Sequence, residues 1–279
     1  LNALLQMNAD QALPILKKVI QRRDACSAEL RRKAMFLLSQ KQTPETVDIM
    51  LDVAKNDPDI EVRRQAVFWL SQVDDPRAVD ALEQVLKTSN DQQLQKRALF
   101  ALSQHDSPRA YEILKQAAQN TQMSEELRKY AITWISQHKD ADIKYLEQLY
   151  GTLKDPSLKE RVLFAVSQSD QPGAGDWLLS VATDSAAPVE LRKRAIFWAG
   201  QANASVAAMG SLYDRVQARA LKEQLLFVFS QSDDAAAVDR LIQIARTEKD
   251  PELRKRAIFW LGQSDDPRAA KVLMDIIGG

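Results

Sequence analysis

The sequence predicts an all-α solenoid, a right-handed α-α superhelix of about eight stacked helix pairs with partial units at both ends. Three observations predict it. A short apolar-Ser/Gly-Gln signature returns every 30-odd residues. Each interval between signatures holds two amphipathic stretches with helical periodicity. Asp-Pro, Ser-Pro and Thr-Pro pairs mark where many of those stretches begin. Composition agrees. Only 8 residues are Gly, 45% are hydrophobic and 27% are charged, and good helix formers dominate.

The signature reads Leu38-Ser39-Gln40, Leu70-Ser71-Gln72, Leu102-Ser103-Gln104, Ile135-Ser136-Gln137, Val166-Ser167-Gln168, Ala199-Gly200-Gln201, Phe229-Ser230-Gln231 and Leu261-Gly262-Gln263. Successive Gln residues are 32, 32, 33, 31, 33, 30 and 32 positions apart. Leu4-Leu5-Gln6 is a weaker ninth copy. A helix pair of this length cannot bury its apolar face alone, so copies must lean on one another. One domain spanning 1–279 is the expectation.

Within a unit, residues 77–86 form one helical pattern and residues 61–72 the other. In the second, Val62, Ala66, Trp69 and Leu70 fall on one face. Seven of the ten prolines follow Asp, Ser or Thr. Such side chains accept the free N–H groups of a first turn, and Pro at the first helical position has no N–H to leave unpaired. Asp75-Pro76 and Asp266-Pro267 are therefore expected to start one helix type, and Asp57-Pro58 and Asp250-Pro251 the other.

The second-helix pattern, acidic-Leu/Val-Arg-x-x-Ala-x-x-x-Leu-Gly/Ser, resembles HEAT repeats. Glu61-Val62-Arg63, Glu126-Leu127-Arg128, Glu190-Leu191-Arg192 and Glu252-Leu253-Arg254 carry it. The short period and the Asp-Pro-Arg-Ala at 75–78 and 266–269 resemble the phycobilisome-lyase-like subgroup. Gln95, Lys159 and Lys222 depart from the Arg, and residues 202–224 are the most degraded unit. The resemblance implies that the Val-Arg helix lines a concave side. On that reading the chain opens with the end of an inner helix, to about Gln6, and closes with a lone outer helix at 268–277. Leu1 then sits inside a repeat, so the chain is expected to be a fragment of a longer one.

Stepping 100° per residue along 30–40 puts Leu30, Ala34, Leu37 and Leu38 on the core stripe and leaves Phe36 and Ser39 outside it. HEAT repeats usually carry a polar residue at the Phe36 position. Here it reads Phe36, Phe68, Phe100, Thr133, Phe164, Phe197, Phe227 and Phe259. One turn on comes Gln40, Gln72, Gln104, Gln137, Gln168, Gln201, Gln231 or Gln263. This ladder is similar in logic to the Trp-x-x-x-Asn ladder of armadillo repeats. An amide can match a peptide unit with a donor and an acceptor, and exposed aromatics call for a cover. The competing reading is that Phe tucks between helices and Gln serves the turn.

The next column alternates Leu37, Trp69, Ala101, Trp134, Ala165, Trp198, Val228, Trp260, which predicts large–small core packing. With Lys129, Lys193 and Lys255 alternating with Glu160 and Glu223, it implies a two-unit ancestral module. Two adjacent columns on the same helices carry eleven positive and two negative charges. Arg64, Lys96, Lys129, Lys193 and Lys255 are the cations expected to reach a partner. The competing expectation is that they pair with Glu29, Glu61, Glu126, Glu190 and Glu252.

Other chemistry is thin. Formal net charge is +0, which gives no sign of nucleic acid or membrane. Cys26 is the only cysteine, too few for an internal disulfide or a thiolate zinc site. The two histidines, His105 and His138, are expected in exposed turns. No phosphate loop, dinucleotide fingerprint or nucleophile elbow occurs. Asp-Asp at 74–75, 233–234 and 265–266 read as helix caps. No catalytic residue, metal or cofactor is assigned, and no compartment. The expectation is a monomeric, non-enzymatic scaffold for a protein or extended peptide, with acidic segments among the partners it suits. A nucleic-acid-binding solenoid is the alternative, disfavoured by the net charge and the Glu column. A bilin-lyase-like enzyme is suggested only by the subgroup resemblance.

Overall fold

A computed structural model describes residues 6–41, 43–138, 141–169 and 171–278. The first five residues, with the weak ninth signature and most of the expected leading helix end, lie outside the described residues. Seventeen α-helices and no strand occur among those described. They fall into two compact units, Leu1–Ala141 and Asp142–Gly279.

In the first unit, α1 (Ala9–Ile20), α3 (Pro44–Asn56), α5 (Pro76–Thr88) and α7 (Pro108–Gln119) form one layer. Helices α2 (Ala28–Ser39), α4 (Ile60–Leu70), α6 (Gln92–Gln104) and α8 (Glu125–Gln137) form the other. In the second unit α9 (Ile143–Thr152), α11 (Ala174–Thr183), α13 (Val206–Arg215), α15 (Ala235–Thr247) and α17 (Pro267–Gly278) make the first layer. There α10 (Pro156–Ser167), α12 (Val189–Gln201), α14 (Arg219–Ser230) and α16 (Pro251–Leu261) make the second. In both units second-layer helices pack against one another more extensively than first-layer helices do, so each unit bends with its second layer inside.

The starts of the helices follow the sequence. Asp75, Asp155, Asp234 and Asp250 accept backbone N–H groups of the first turn, and Asp266 accepts the Arg268 amide. Thr43 and Thr46 close a reciprocal capping box. The expected cap at Asp57-Pro58 is not one. Asp59 caps α4, while Asp57 ends α3 and is buried. Its carboxylate is the partner of Arg31, which is itself fully buried.

The signature Arg has a structural task. The last carbonyls of a helix lack intrahelical donors. Arg128 donates to Ala118 O at 3.0 Å, Arg192 to Ala182 O at 2.8 Å and Arg254 to Glu248 O at 3.2 Å. Arg63 reaches Asp57 O, and Gln95 keeps the bond with Leu86 O at 3.1 Å. Lys159 and Lys222 make no bond of this kind to a carbonyl. Their ammonium groups instead sit 4.6 Å and 4.7 Å from the ring centroids of Tyr150 and Tyr213, nine residues upstream.

The interior is a file of small and branched side chains. Ala34, Ala66, Ala98, Ala131, Ala195 and Ala257 are all buried, with Leu70, Leu102, Ile135 and Val166 beneath them. Small residues let consecutive second-layer helices approach closely. The large–small alternation holds, since Leu37, Ala101, Ala165 and Val228 are buried, but Trp69, Trp134, Trp198 and Trp260 are only half-buried. Val228 is bulkier than the alanines at that position. Gly200, where most repeats have Ser, makes room for it: a Cβ there would lie 2.5 Å from a Val228 methyl.

Three further expectations change. Leu30 is exposed, and Arg31 beside it is turned inward to Asp57. Ser39 is buried, because its hydroxyl donates to Phe36 O. The histidines are buried in the turns between repeats. The His105 ring nitrogen Nε2 lies 3.0 Å from Leu70 O, and that of His138 lies 3.2 Å from His105 O, while the His138 ring stacks on Tyr111. These rings satisfy turn carbonyls that shorter side chains would leave to water.

Candidate binding face

Stacking second-layer helices side by side aligns equivalent residues into rows. In the first unit Phe36 meets Trp69 at 5.5 Å between ring centroids, Phe68 meets Trp69 at 4.9 Å, Phe68 stacks on Phe100 at 6.4 Å and Phe100 meets Trp134 at 5.1 Å. Tyr130 joins Trp134 at 5.6 Å. The second unit repeats the order. Phe164 meets Trp198 at 5.0 Å, Phe197 meets Trp198 at 4.8 Å, Phe197 stacks on Phe227 at 6.4 Å, and Phe227 and Phe259 meet Trp260 at 5.7 and 5.0 Å. Mostly tilted and edge-on contacts suit the ring quadrupoles.

The rings are held but not sealed. Phe36 is 41% and Phe259 53% exposed, while Phe68, Phe100, Phe164, Phe197 and Phe227 are half-buried. Each unit therefore carries a continuous aromatic strip with one edge in water. The indoles belong to that strip. Reading them as core missed this; the sequence signal was their recurrence beside Phe at twice the repeat length.

The Gln row borders the strip. All eight residues, Gln40, Gln72, Gln104, Gln137, Gln168, Gln201, Gln231 and Gln263, are exposed. Five are oriented by a short chain of hydrogen bonds. The amide nitrogens of Gln40, Gln72, Gln104, Gln168 and Gln231 donate to the preceding serine hydroxyl. Those hydroxyls donate to the carbonyls of Phe36, Phe68, Phe100, Phe164 and Phe227 at 2.6–2.8 Å. Gly200 and Gly262 remove the hydroxyl before Gln201 and Gln263. The arrangement uses one amide N–H for the turn and leaves the other N–H and the carbonyl oxygen to face water.

The predicted cations reach the other border, each already in an ion pair. Arg64 pairs with Glu61 and, at 2.7 Å, with Asp91. Lys96 pairs with Glu126 at 2.6 Å, Lys129 with Glu125 at 2.6 Å, Lys193 with Glu190 at 3.1 Å and Lys255 with Glu252 at 3.0 Å. Asp91 shows the effect. Burial works to raise its pKa, yet the Leu94 amide and the Arg64 guanidinium hold it below the ordinary value. The Lys96 ammonium, hydrogen-bonded to it, likewise lowers Glu126. Among the described residues, no cluster of three or more His, Cys, Asp or Glu is arranged to hold a metal ion. No described helix is long and apolar enough to cross a membrane.

Capped helix pairs stacked in two layers, with one layer presenting aligned rows, define an α-helical repeat protein of the solenoid class. Residues 13–124 match the sequence model of HEAT repeats, in two overlapping stretches, 13–103 and 50–124. Helix pairs continue after residue 124, with Ala131, Ala195 and Ala257 buried at the equivalent core position, though Gly173, Pro188 and Ala218 stand where a capping side chain would be. No curated protein matches. Among solved structures, a chain of the full-length AP-3 complex, a homology model in an intermediate open conformation, is similar at 14% identity and a TM-score of 0.53. That match covers 94% of this chain and 52% of the AP-3 chain, so this chain spans about half the AP-3 chain's length. Human deoxyhypusine hydroxylase, in complex with glycerol, matches at 18% identity over 86% of this chain and 90% of its own, with a TM-score of 0.40. The complex of CpcE and CpcF of phycocyanin lyase from Nostoc sp. PCC7120 matches at 18% identity over 93% of each chain, with a TM-score of 0.38. The AP-3 likeness speaks to fold, and the two enzymes lend nothing to a choice of function.

Proposed function

We propose that the chain is a non-enzymatic scaffold that holds an extended segment of a partner protein along the second-layer faces. One observation carries this reading: each unit leaves an ordered strip of Phe and Trp half in water, bordered by oriented Gln amides. Aromatic side chains dominate interface energetics because each buries a large, rigid area at little entropic cost. An extended segment laid along the strip covers the ring edges, and its backbone meets the free N–H and C=O of each glutamine.

The cation row favours a peptide over a nucleic acid. A phosphate backbone is bound by cations that are free to replace counterions, and Arg64, Lys96, Lys129, Lys193 and Lys255 are each engaged by a carboxylate.

Selection from a random-peptide display library tests the proposal. The chain enriches peptides that fail to bind the Phe100→Ser/Phe164→Ser variant, while circular dichroism of that variant stays helical. A variant that is helical and binds the same peptides unchanged refutes the assignment. A variant that loses its helices returns those rings to the core and removes the proposal's basis.

A further inference from the structure

The charge pattern beside the aromatic strip narrows the partner class. Three residues before five of the seven phenylalanines, one helical turn away, the sequence places Lys33, Arg97, Arg161, Arg194 and Arg256, while Gln65 and Gln224 stand before Phe68 and Phe227. These positions lie about 4.5 Å from the Phe position along the helix axis. The glutamates near the helix starts, such as Glu61, Glu190 and Glu252, precede Phe by seven residues, about 10.5 Å along the axis. The stripe nearest the rings is therefore cationic and the acidic stripe is remote.

Pairing sharpens the difference. The remote acids are engaged by their neighbours, as given above, and Arg194 is engaged by Glu160 at 3.1 Å. Among the described residues, Arg97, Arg161 and Arg256 have no carboxylate within salt-bridge reach. Arg97 and Arg256 are exposed, and Arg161 lies with its guanidinium carbon 5.3 Å from the Phe164 ring centroid. Each unit thus keeps an unpaired arginine in the stripe one turn from its aromatic strip: Arg97 in the first, Arg161 and Arg256 in the second. Glu223 is the counter-charge. It is half-buried four residues before Phe227 and without an ion pair, so it offsets one of the two in the second unit. A 240 Å³ recess there is lined by Glu223 together with Lys193, Gln224, Phe227, Arg256 and Trp260, enough for one side chain.

We infer that the occupant is an acidic extended peptide, with apolar side chains on the Phe/Trp strip and carboxylates alternating toward the arginine stripe. The inference rests on the scaffold reading above. Side chains of an extended strand alternate in direction, so a segment of alternating apolar and acidic residues meets both stripes at once. Guanidinium suits this role because it forks onto a carboxylate while its flat face lies on a ring. Isolated arginines set between engaged acids make a poor track for a phosphate chain, whose binding sums many contacts.

Fluorescence anisotropy with three labelled synthetic peptides tests it on the full chain. The peptides share one alternating Phe/Leu pattern and differ only in the intervening residues: Glu, Gln or Lys. The Glu peptide binds about tenfold more tightly than the Gln peptide and the Lys peptide binds least. In Arg97→Gln/Arg161→Gln/Arg256→Gln the Glu peptide falls to the level of the Gln peptide. Phe100→Ser/Phe164→Ser weakens all three alike. Equal binding of the Glu and Gln peptides, or preference for the Lys peptide, overturns the acidic assignment and leaves the scaffold reading standing. Failure of all three to bind overturns both. Tighter binding of a single-stranded oligonucleotide, falling steeply with salt, overturns the choice of a peptide.

Discussion

Phe100 and Trp134, on consecutive second-layer helices of the first unit, meet edge to face with ring centroids 5.1 Å apart. The contact fixes the phenyl ring without burying it. Phe229, in the second unit, is 1% exposed and belongs to the core. The two rings should therefore respond differently to truncation. Phe229→Ala is expected to cost about 3–5 kcal/mol and Phe100→Ser about 1–2 kcal/mol. Urea unfolding followed by circular dichroism measures both. Equal losses mean that Phe100 is a core residue.

Arg31 and Asp57 make a two-pronged ion pair, at 2.8 and 3.0 Å, with both side chains buried. The remaining Arg31 amino group donates to the carbonyls of Arg22 and Asp24, and Asp57 accepts the Asp59 amide. Removing one partner strands a charge in the interior. Asp57→Ala is expected to destabilise the first unit by about 3–5 kcal/mol, and Arg31→Met/Asp57→Ala by clearly less than the two single changes summed. A double-mutant cycle in urea reads this. Simple additivity is the contrary result.

Burial pushes the His105 imidazole below its usual value of 6.5, against the opposing pull of its bond to Leu70 O and of Asp74. The folded state thus prefers the neutral ring, and the unfolded chain binds the proton more readily. This contribution is complete above about pH 6.5 and is lost as pH falls below it. The urea midpoint of the wild type is expected to drop between pH 7.5 and 5.5, with a shallower drop in His105→Gln. The same slope in both proteins excludes this histidine as the cause.

Much of the architecture was legible because it repeats. The Gln spacing gave the period, and the Asp-Pro, Ser-Pro and Thr-Pro pairs gave the starts of six of the seventeen helices. What periodicity could not show was competition for a carboxylate. Asp57-Pro58 looks like Asp250-Pro251, and only three-dimensional proximity reveals that Arg31 claims Asp57. His105 and His138 look like polar turn residues because the carbonyls that draw them inward come from another turn. At the candidate face the Phe and Gln rows were readable by stepping around one helix. The Trp residues were assigned to the core because that stepping ignores how far a large indole projects past a small neighbour. The free state of Arg97, Arg161 and Arg256 was hidden for the same reason as Asp57: ion-pair partners lie on other helices.

The central claim is that the second-layer aromatic strip is the surface that binds. Four of the five tryptophans, Trp69, Trp134, Trp198 and Trp260, lie on it; Trp177, on α11, instead meets Tyr150. The most direct measurement is the tryptophan emission of a Trp177→Phe variant titrated with the alternating Glu/Phe peptide, binding being followed independently by anisotropy. The account predicts a saturable blue shift that tracks the anisotropy curve, as water leaves the indole edges. A peptide that binds while the emission stays unchanged contradicts it.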